Sequence, residues 1–151
     1  MAAVLLQHMV LHQEVDLRFV QAGMLSDNTP TMAWTARMTN KSNSPTAGQL
    51  LRGLAAIQRA SQAGPLTVAS IAGVENSMAD VASRSFGQSR VPDASFLKQF
   101  THTFPLPQPQ SWKHVLLMPE EILLVTSTLC GTRLPLQQWM TGFKPRIGIT
   151  G

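Results

Sequence analysis

GMLSDNTPTMAW, residues 23–34, joins an apolar segment to a stretch that is typical of the start of a helix, with one carboxylate at the junction. Asn28 and Pro30 favour helix initiation, because an Asn or Asp side chain accepts hydrogen bonds from first-turn N–H groups and Pro fits the first turn. Asp27 or Asn28 is the predicted cap. A carboxylate at the end of a strand is also a candidate ligand for a hard cation such as Mg²⁺. These residues leave both interpretations of Asp27 open.

The sequence around this junction alternates between helical and extended patterns. We predict helices over residues 2–14, 29–38, 47–63 and 76–85, and strands over residues 17–25 and 66–72. In the third helix, the residues predicted to face a core are Leu50, Leu51, Leu54, Ala55 and Ile57. The order indicates an α/β fold. Two strands are few for so many helices, so the sheet looks incomplete, as though further strands lay before residue 1.

After residue 86 the character of the chain changes. The predicted elements here are a linker at 87–95, a short helix at 95–104, an extended proline-rich spacer at 105–110, a helix at 119–130, one more turn within 133–140 and an unstructured end. Pro105, Pro107 and Pro109 give the spacer its polyproline bias. We therefore predict two parts, a folded domain over 1–86 and an irregular, partly helical tail over 87–151.

Composition narrows the functional classes. Only 13% of the 151 residues are charged, against about a quarter in ordinary proteins, and the net charge of +4 is compatible with a polyanionic partner. The single cysteine, Cys130, excludes an internal disulfide, is predicted to be a buried thiol, and fits an intracellular location in the cytoplasm or nucleus. The apolar N-terminus is too short to span a bilayer, so no membrane partner is expected.

A second carboxylate raises the possibility of a metal site. Asp80 lies in the helix predicted after the second strand, and if the two strands are neighbours, Asp27 and Asp80 meet at one edge of the sheet. Paired carboxylates suit Mg²⁺, and two-metal sites use them for phosphodiester cleavage. The alternative is that Asp27 is a helix cap and Asp80 a solvated helix residue.

The two segments together resemble a known family. GMLSDNTPTMAW followed by LTVASIAGVENSMADVASRSF, residues 66–86, resembles the C-terminal half of the RNase H-like domain in reverse transcriptase polyproteins of retroelements (retrotransposons). Asn76, Asp80, Ser83 and Arg84 match an N-x-x-A-D-x-x-S-R pattern. The resemblance covers about residues 1–86, and residues 90–140 look like the connector that follows this domain. It implies cleavage of the RNA in RNA–DNA hybrids with two Mg²⁺ ions, with Asp27 and Asp80 as catalytic metal ligands.

This chain also departs from the family. The family requires an Asp on its first strand and a Glu on its first helix, and neither is in place, so the resemblance implies an N-terminally truncated RNase H-like fold. Glu14 and Asp16 lie at the far end of the first predicted helix and cannot substitute. Ser70 stands where many relatives have a histidine, and it cannot transfer protons in the same way. Three hypotheses follow: a polyprotein fragment that is inactive alone, a non-enzymatic remnant that binds nucleic acid weakly, and a degenerate reading frame.

Two further groups of residues are candidates for binding. The basic residues that could contact phosphates are Arg37, Lys41, Arg52, Arg59 and Arg84. Such residues hold a nucleic acid without reading its sequence, and they are equally compatible with a plain solvated surface. His8 and His12 have the i, i+4 spacing of some zinc helices, but the sequence offers no third ligand, which disfavours a metal site.

Overall fold

The computed structural model describes residues 1–39, 44–84, 94–112, 115 and 117–143. Within these ranges the chain is mostly helical, with two short strands. The elements in chain order are α1 (Ala2–Glu14), β1 (Gly23–Ser26), α2 (Thr29–Arg37), α3 (Pro45–Ala60), β2 (Thr67–Ser70), a 3₁₀ turn (Gly73–Glu75), α4 (Ser77–Arg84), α5 (Ala94–Thr103), α6 (Pro119–Leu129) and α7 (Leu136–Gly142). None of the helices in these ranges is both long and apolar enough to cross a bilayer.

The described residues form two compact units. The first contains residues 1–39, 44–70 and 117–143, and the second contains residues 71–84, 94–112 and 115. This division differs from the boundary predicted at residue 86, because α6 and α7 pack against α1 and α3 and so belong to the first unit. The linker predicted at 87–95 lies largely outside the described residues, as does the chain end after residue 143.

The core of the first unit is built by helices from both ends of the chain. Its members are apolar side chains that are almost or completely removed from solvent: Val4, Leu5, Met9, Met24, Leu50, Leu54, Ala56, Ile57, Leu124, Val125, Leu134, Trp139 and Phe143. Trp139 of α7 is fully buried and lies directly over Gly53 of α3. Burial of such large apolar groups is the main favourable term in folding.

Helix α3 shows how the sequence pattern places its faces. Leu50, Leu54 and Ile57 are buried as predicted, since residues three or four apart share one side of a helix. Ala55 was expected in the core and is exposed, so that prediction is wrong. The 100° step per residue turns Ala55 away from the stripe and brings Gly53 and Ala56 to the buried side instead.

The two strands form a parallel pair whose register runs from Gly23 opposite Thr67 to Ser26 opposite Ser70. This confirms the α/β class at the level of helices combined with a small parallel sheet; the RNase H-like topology stays a prediction. The first strand is shorter than the predicted 17–25. Its first half is a turn instead, because Asp16 accepts a hydrogen bond from the Arg18 N–H at 3.1 Å and its carbonyl accepts one from the Phe19 N–H at 3.3 Å.

The second unit is organised around aromatic side chains. Phe96 and Phe100 of α5 and Phe104, directly after it, follow one another, with ring centroids 5.6 Å and 4.9 Å apart for successive pairs. Trp112 packs edge-on to Phe100, and its Nε1–H donates to the Phe104 carbonyl at 2.6 Å. The short helix predicted at 95–104 is therefore held by the chain that follows it. Helix α4, in contrast, has no buried side chain.

Candidate functional site

Asp27 occupies the predicted position, directly after β1, with an exposed side chain. The cap of α2 is its neighbour Asn28, whose side-chain oxygen accepts a hydrogen bond from the Thr31 N–H at 2.9 Å. Of the two predicted cap residues, the structure thus selects Asn28. The Asp27 carboxylate stands free of the helix start and faces solvent.

Asp80 lies in the first turn of α4 and is engaged with a basic residue of the same helix. Its Oδ1 is 2.9 Å from Nε of Arg84, one turn further on, with the two side chains 49% and 79% exposed. An exposed pair of this spacing is worth only about 0.3–0.5 kcal/mol. The surroundings of Asp80 match the solvated-helix interpretation, and the positive charge of Arg84 reduces the negative charge that a cation would meet.

The metal site expected from Asp27 and Asp80 stays a prediction. Asp27 belongs to the first unit and Asp80 to the second, so the structure describes each carboxylate by itself. Across the described ranges, no three His, Cys, Asp or Glu side chains gather in a way that could hold a metal ion. Mg²⁺ is usually bound by one or two carboxylates together with waters and substrate phosphates, so single acids of this kind are compatible with a partial site.

The predicted basic residues divide into free and engaged groups. Arg52 and Arg59 are exposed on α3, two turns apart on the side opposite the core, and Arg37 is exposed in the last turn of α2. None of these three forms an ion pair with a residue that the structure describes. Arg84 is held by Asp80, as above, and Lys41 lies outside the described residues.

The most developed polar cluster contains the two histidines of α1. His8 and His12 are buried, and their Nε2 atoms are 3.2 Å apart. Ser61, just after α3, places its Oγ 3.1 Å from the His12 Nε2. Burial, together with the neighbouring His12, lowers the pKa of His8 to about 4. Burial also lowers the pKa of His12, an effect opposed by the charge of Asp16.

A second buried contact ties α1 to α6. Gln13 donates to a side-chain oxygen of Glu121 at 3.4 Å, and that oxygen also accepts the Met118 N–H at 2.8 Å. Glu121 was predicted only as a first-turn charge, and Ser61 was only part of a helix. Sequence spacing identifies His8 and His12 as neighbours. It carries no signal for the contact of His12 with Ser61, 49 residues away, or of Gln13 with Glu121, 108 residues away.

Cys130 follows α6 and is exposed, so the prediction of a buried thiol is wrong; the chain turns there and the side chain leaves the core. A cavity of about 280 Å³ lies between α6 and α7, lined by Leu123, Ser127 and Thr141 among others. It contains none of the predicted site residues.

No protein-family model, curated protein or solved structure matches this chain.

Proposed function

We propose that this chain corresponds to the C-terminal part of the RNase H-like domain of a retroelement reverse transcriptase polyprotein, and that it has no nuclease activity alone. The observation that carries the proposal is the placement of Asp27 immediately after a strand that pairs in parallel with a second strand, itself followed by the helix that contains Asp80. Element order and motif positions agree with the resemblance. In the complete domain these acids would bind Mg²⁺ during cleavage of RNA–DNA hybrids.

Inactivity follows from the number of acids. In two-metal hydrolysis the carboxylates hold both ions, one that activates the attacking water and one that stabilises the leaving oxygen. The motifs supply Asp27 and Asp80 alone, and Asp80 is neutralised in part by Arg84. Ser70, at the end of β2, offers a hydroxyl in place of a histidine that can accept a proton.

The test is a labelled RNA–DNA hybrid incubated with Mg²⁺ and wild-type protein, beside Asp27→Asn and the control Glu75→Gln. Glu75 is another exposed acid, so both variants lose one negative charge. We expect no cleavage above the buffer level from any of the three. Cleavage by wild type and Glu75→Gln that disappears in Asp27→Asn would overturn the proposed inactivity, because it would show a working site at Asp27.

A second candidate function is weak, sequence-independent binding of nucleic acid by the first unit. The free guanidinium groups of Arg52 and Arg59 lie on one side of α3, about 10 Å apart along the helix axis, and both are available to phosphates. This function requires no catalytic acids. It is therefore compatible with the incomplete metal site.

Anisotropy of the same labelled hybrid measures this binding. The double variant Arg52→Gln/Arg59→Gln is expected to lower the salt dependence by about two released counterions and the affinity by about tenfold or more. The control is Lys98→Gln/Arg133→Gln, two exposed residues whose loss changes the net charge equally. Equal losses in both double variants would show that overall charge, and not the α3 surface, determines binding.

A further inference from the structure

The cluster of His8, His12 and Ser61 connects α1 to the end of α3 inside the first unit. The three side chains are 1%, 2% and 9% exposed, so the cluster is almost completely closed to water. The His12 ring also packs against the Phe143 ring, with centroids 5.3 Å apart. Polar groups in such a place need hydrogen-bond partners, because an unpartnered donor costs the full loss of its hydration.

When both rings are neutral, one proton joins the two histidines. A neutral imidazole carries one N–H and one acceptor nitrogen. The Nδ1 of His8 is buried and has no hydrogen-bond partner among the described residues, so a proton there would be an unpaired donor. The two Nε2 atoms, 3.2 Å apart, share one proton, which one ring donates and the other accepts. The hydroxyl of Ser61 donates to the Ile57 carbonyl at 2.6 Å.

One more proton destabilises this arrangement. On the second Nε2 it would set two N–H groups against each other across 3.2 Å and break the bond between the two rings. On the Nδ1 of His8 it would leave that bond in place but put an uncompensated charge, and a donor that no described residue accepts, inside the core. Both outcomes favour separation of α1 from its neighbours.

The charged groups around the cluster give little compensation. Beyond α1, Asp16 acts on His12, but its carboxylate is bound by the Arg18 guanidinium at 2.7 Å. On α6, Glu121 is occupied by Gln13 and the Met118 N–H. From α3 the cluster receives the hydroxyl of Ser61, and beyond α7 it meets the apolar ring of Phe143. None of the described contacts brings a carboxylate to a ring nitrogen of His8.

We propose that the His8–His12 pair is an acid-sensitive latch, which holds α1 on the rest of the first unit when neutral and releases it when His8 is protonated. This inference does not depend on the proposed retroelement origin. Burial lowers the pKa of His8 in the folded chain to about 4 from 6.5. The stabilisation is therefore complete above about pH 6.5 and is lost as the pH falls towards 4. Between pH 7.5 and 4.8 the opening of α1 becomes about 40-fold more favourable through His8 alone.

Hydrogen–deuterium exchange of the full chain tests the latch. Exchange of the α1 amides, corrected for intrinsic rates, is compared at pH 7.5 and 4.8 in wild type, His8→Gln and the control His102→Gln, whose side chain is exposed on α5. Between pH 7.5 and pH 4.8, the equilibrium constant for opening of α1 is expected to rise in wild type and in the control by a factor at least tenfold larger than in His8→Gln. The same increase in all three proteins would overturn the latch, as would equal opening of α6.

An NMR titration gives a readout that needs no variant. The ring protons of His8 in the wild-type chain are followed between pH 8 and pH 3.5. The latch requires that His8 become charged only as the signals of docked α1 are lost. A His8 that becomes charged with α1 still protected would overturn it.

Discussion

At the residue scale, the structure distinguishes the two adjacent candidates for the cap of α2, Asp27 and Asn28. Asn28 accepts the Thr31 N–H at 2.9 Å, whereas the Asp27 carboxylate is exposed beside it. We expect Asn28→Ala to lower the free energy of unfolding by about 1 kcal/mol, the usual cost of losing a cap. Asp27→Ala is expected to change it by less than about 0.5 kcal/mol. Urea unfolding of both variants measures the difference; equal losses would mean that Asp27 also caps α2.

The sequence predicts that a cap exists at this position, since Asp, Asn and Pro cluster before an apolar helix. It cannot choose the residue, because the choice depends on backbone angles: Asn28 is extended, with φ −94° and ψ 95°, which aims its side chain at the first turn. The histidine pair has the same limit. The spacing of His8 and His12 places them on one face, but Ser61 reaches them only through the packing of α1 on α3.

At the element scale, the contact of α3 with α7 depends on a missing side chain. A Cβ built on Gly53 would lie 2.8 Å from Cε2 of Trp139, closer than real Cβ contacts allow, and the ring is fully buried. We expect Gly53→Ala to lower the free energy of unfolding by about 1–2 kcal/mol, because overpacking outweighs the roughly 1 kcal/mol that Ala gains in helix propensity. Urea unfolding measures it. In a Trp139→Phe background the penalty should shrink, and a more stable Gly53→Ala in wild type would contradict the argument.

Helices were easier to predict than strands because their signals are local. The predicted helix over 119–130 matches Pro119–Leu129 closely, since Pro and two acidic residues mark its start. The strand predicted over 17–25 is shorter in the structure and covers Gly23–Ser26. Strand formation requires a partner, here β2, and the pairing register depends on packing far along the chain. The sequence of residues 17–22 does not show whether these residues pair with β2.

At the scale of the whole molecule, the sequence predicted a folded domain over residues 1–86 and an irregular tail over 87–151. The contribution of the tail to the core could not be predicted. The proline-rich spacer separates residues 117–143 from the front in the sequence. The core of the first unit nevertheless includes Leu124 and Val125 of α6, Trp139 of α7 and Phe143 directly after α7. The hydrophobic periodicity of α6 and α7 identifies an apolar face on each helix, but it does not show that these faces pack against α1 and α3. Only the three-dimensional packing shows that both parts share one core.

A chain that ends at residue 86 is therefore expected not to fold cooperatively, although it contains the whole segment that resembles the RNase H-like domain. It lacks five apolar side chains of the core, Leu124, Val125, Leu134, Trp139 and Phe143. Each is worth about 1.5–3 kcal/mol by burial, and their sum is comparable with the roughly 5–15 kcal/mol that stabilises a typical domain. Thermal and urea unfolding, followed by circular dichroism, compare this chain with the full one. Full-length Phe143→Ala provides the intermediate case, with an expected loss of about 3–5 kcal/mol. If residues 1–86 unfold in one transition near that of the full chain, α6 and α7 are peripheral; if the full chain itself has no transition, the degenerate-frame hypothesis replaces the proposed function.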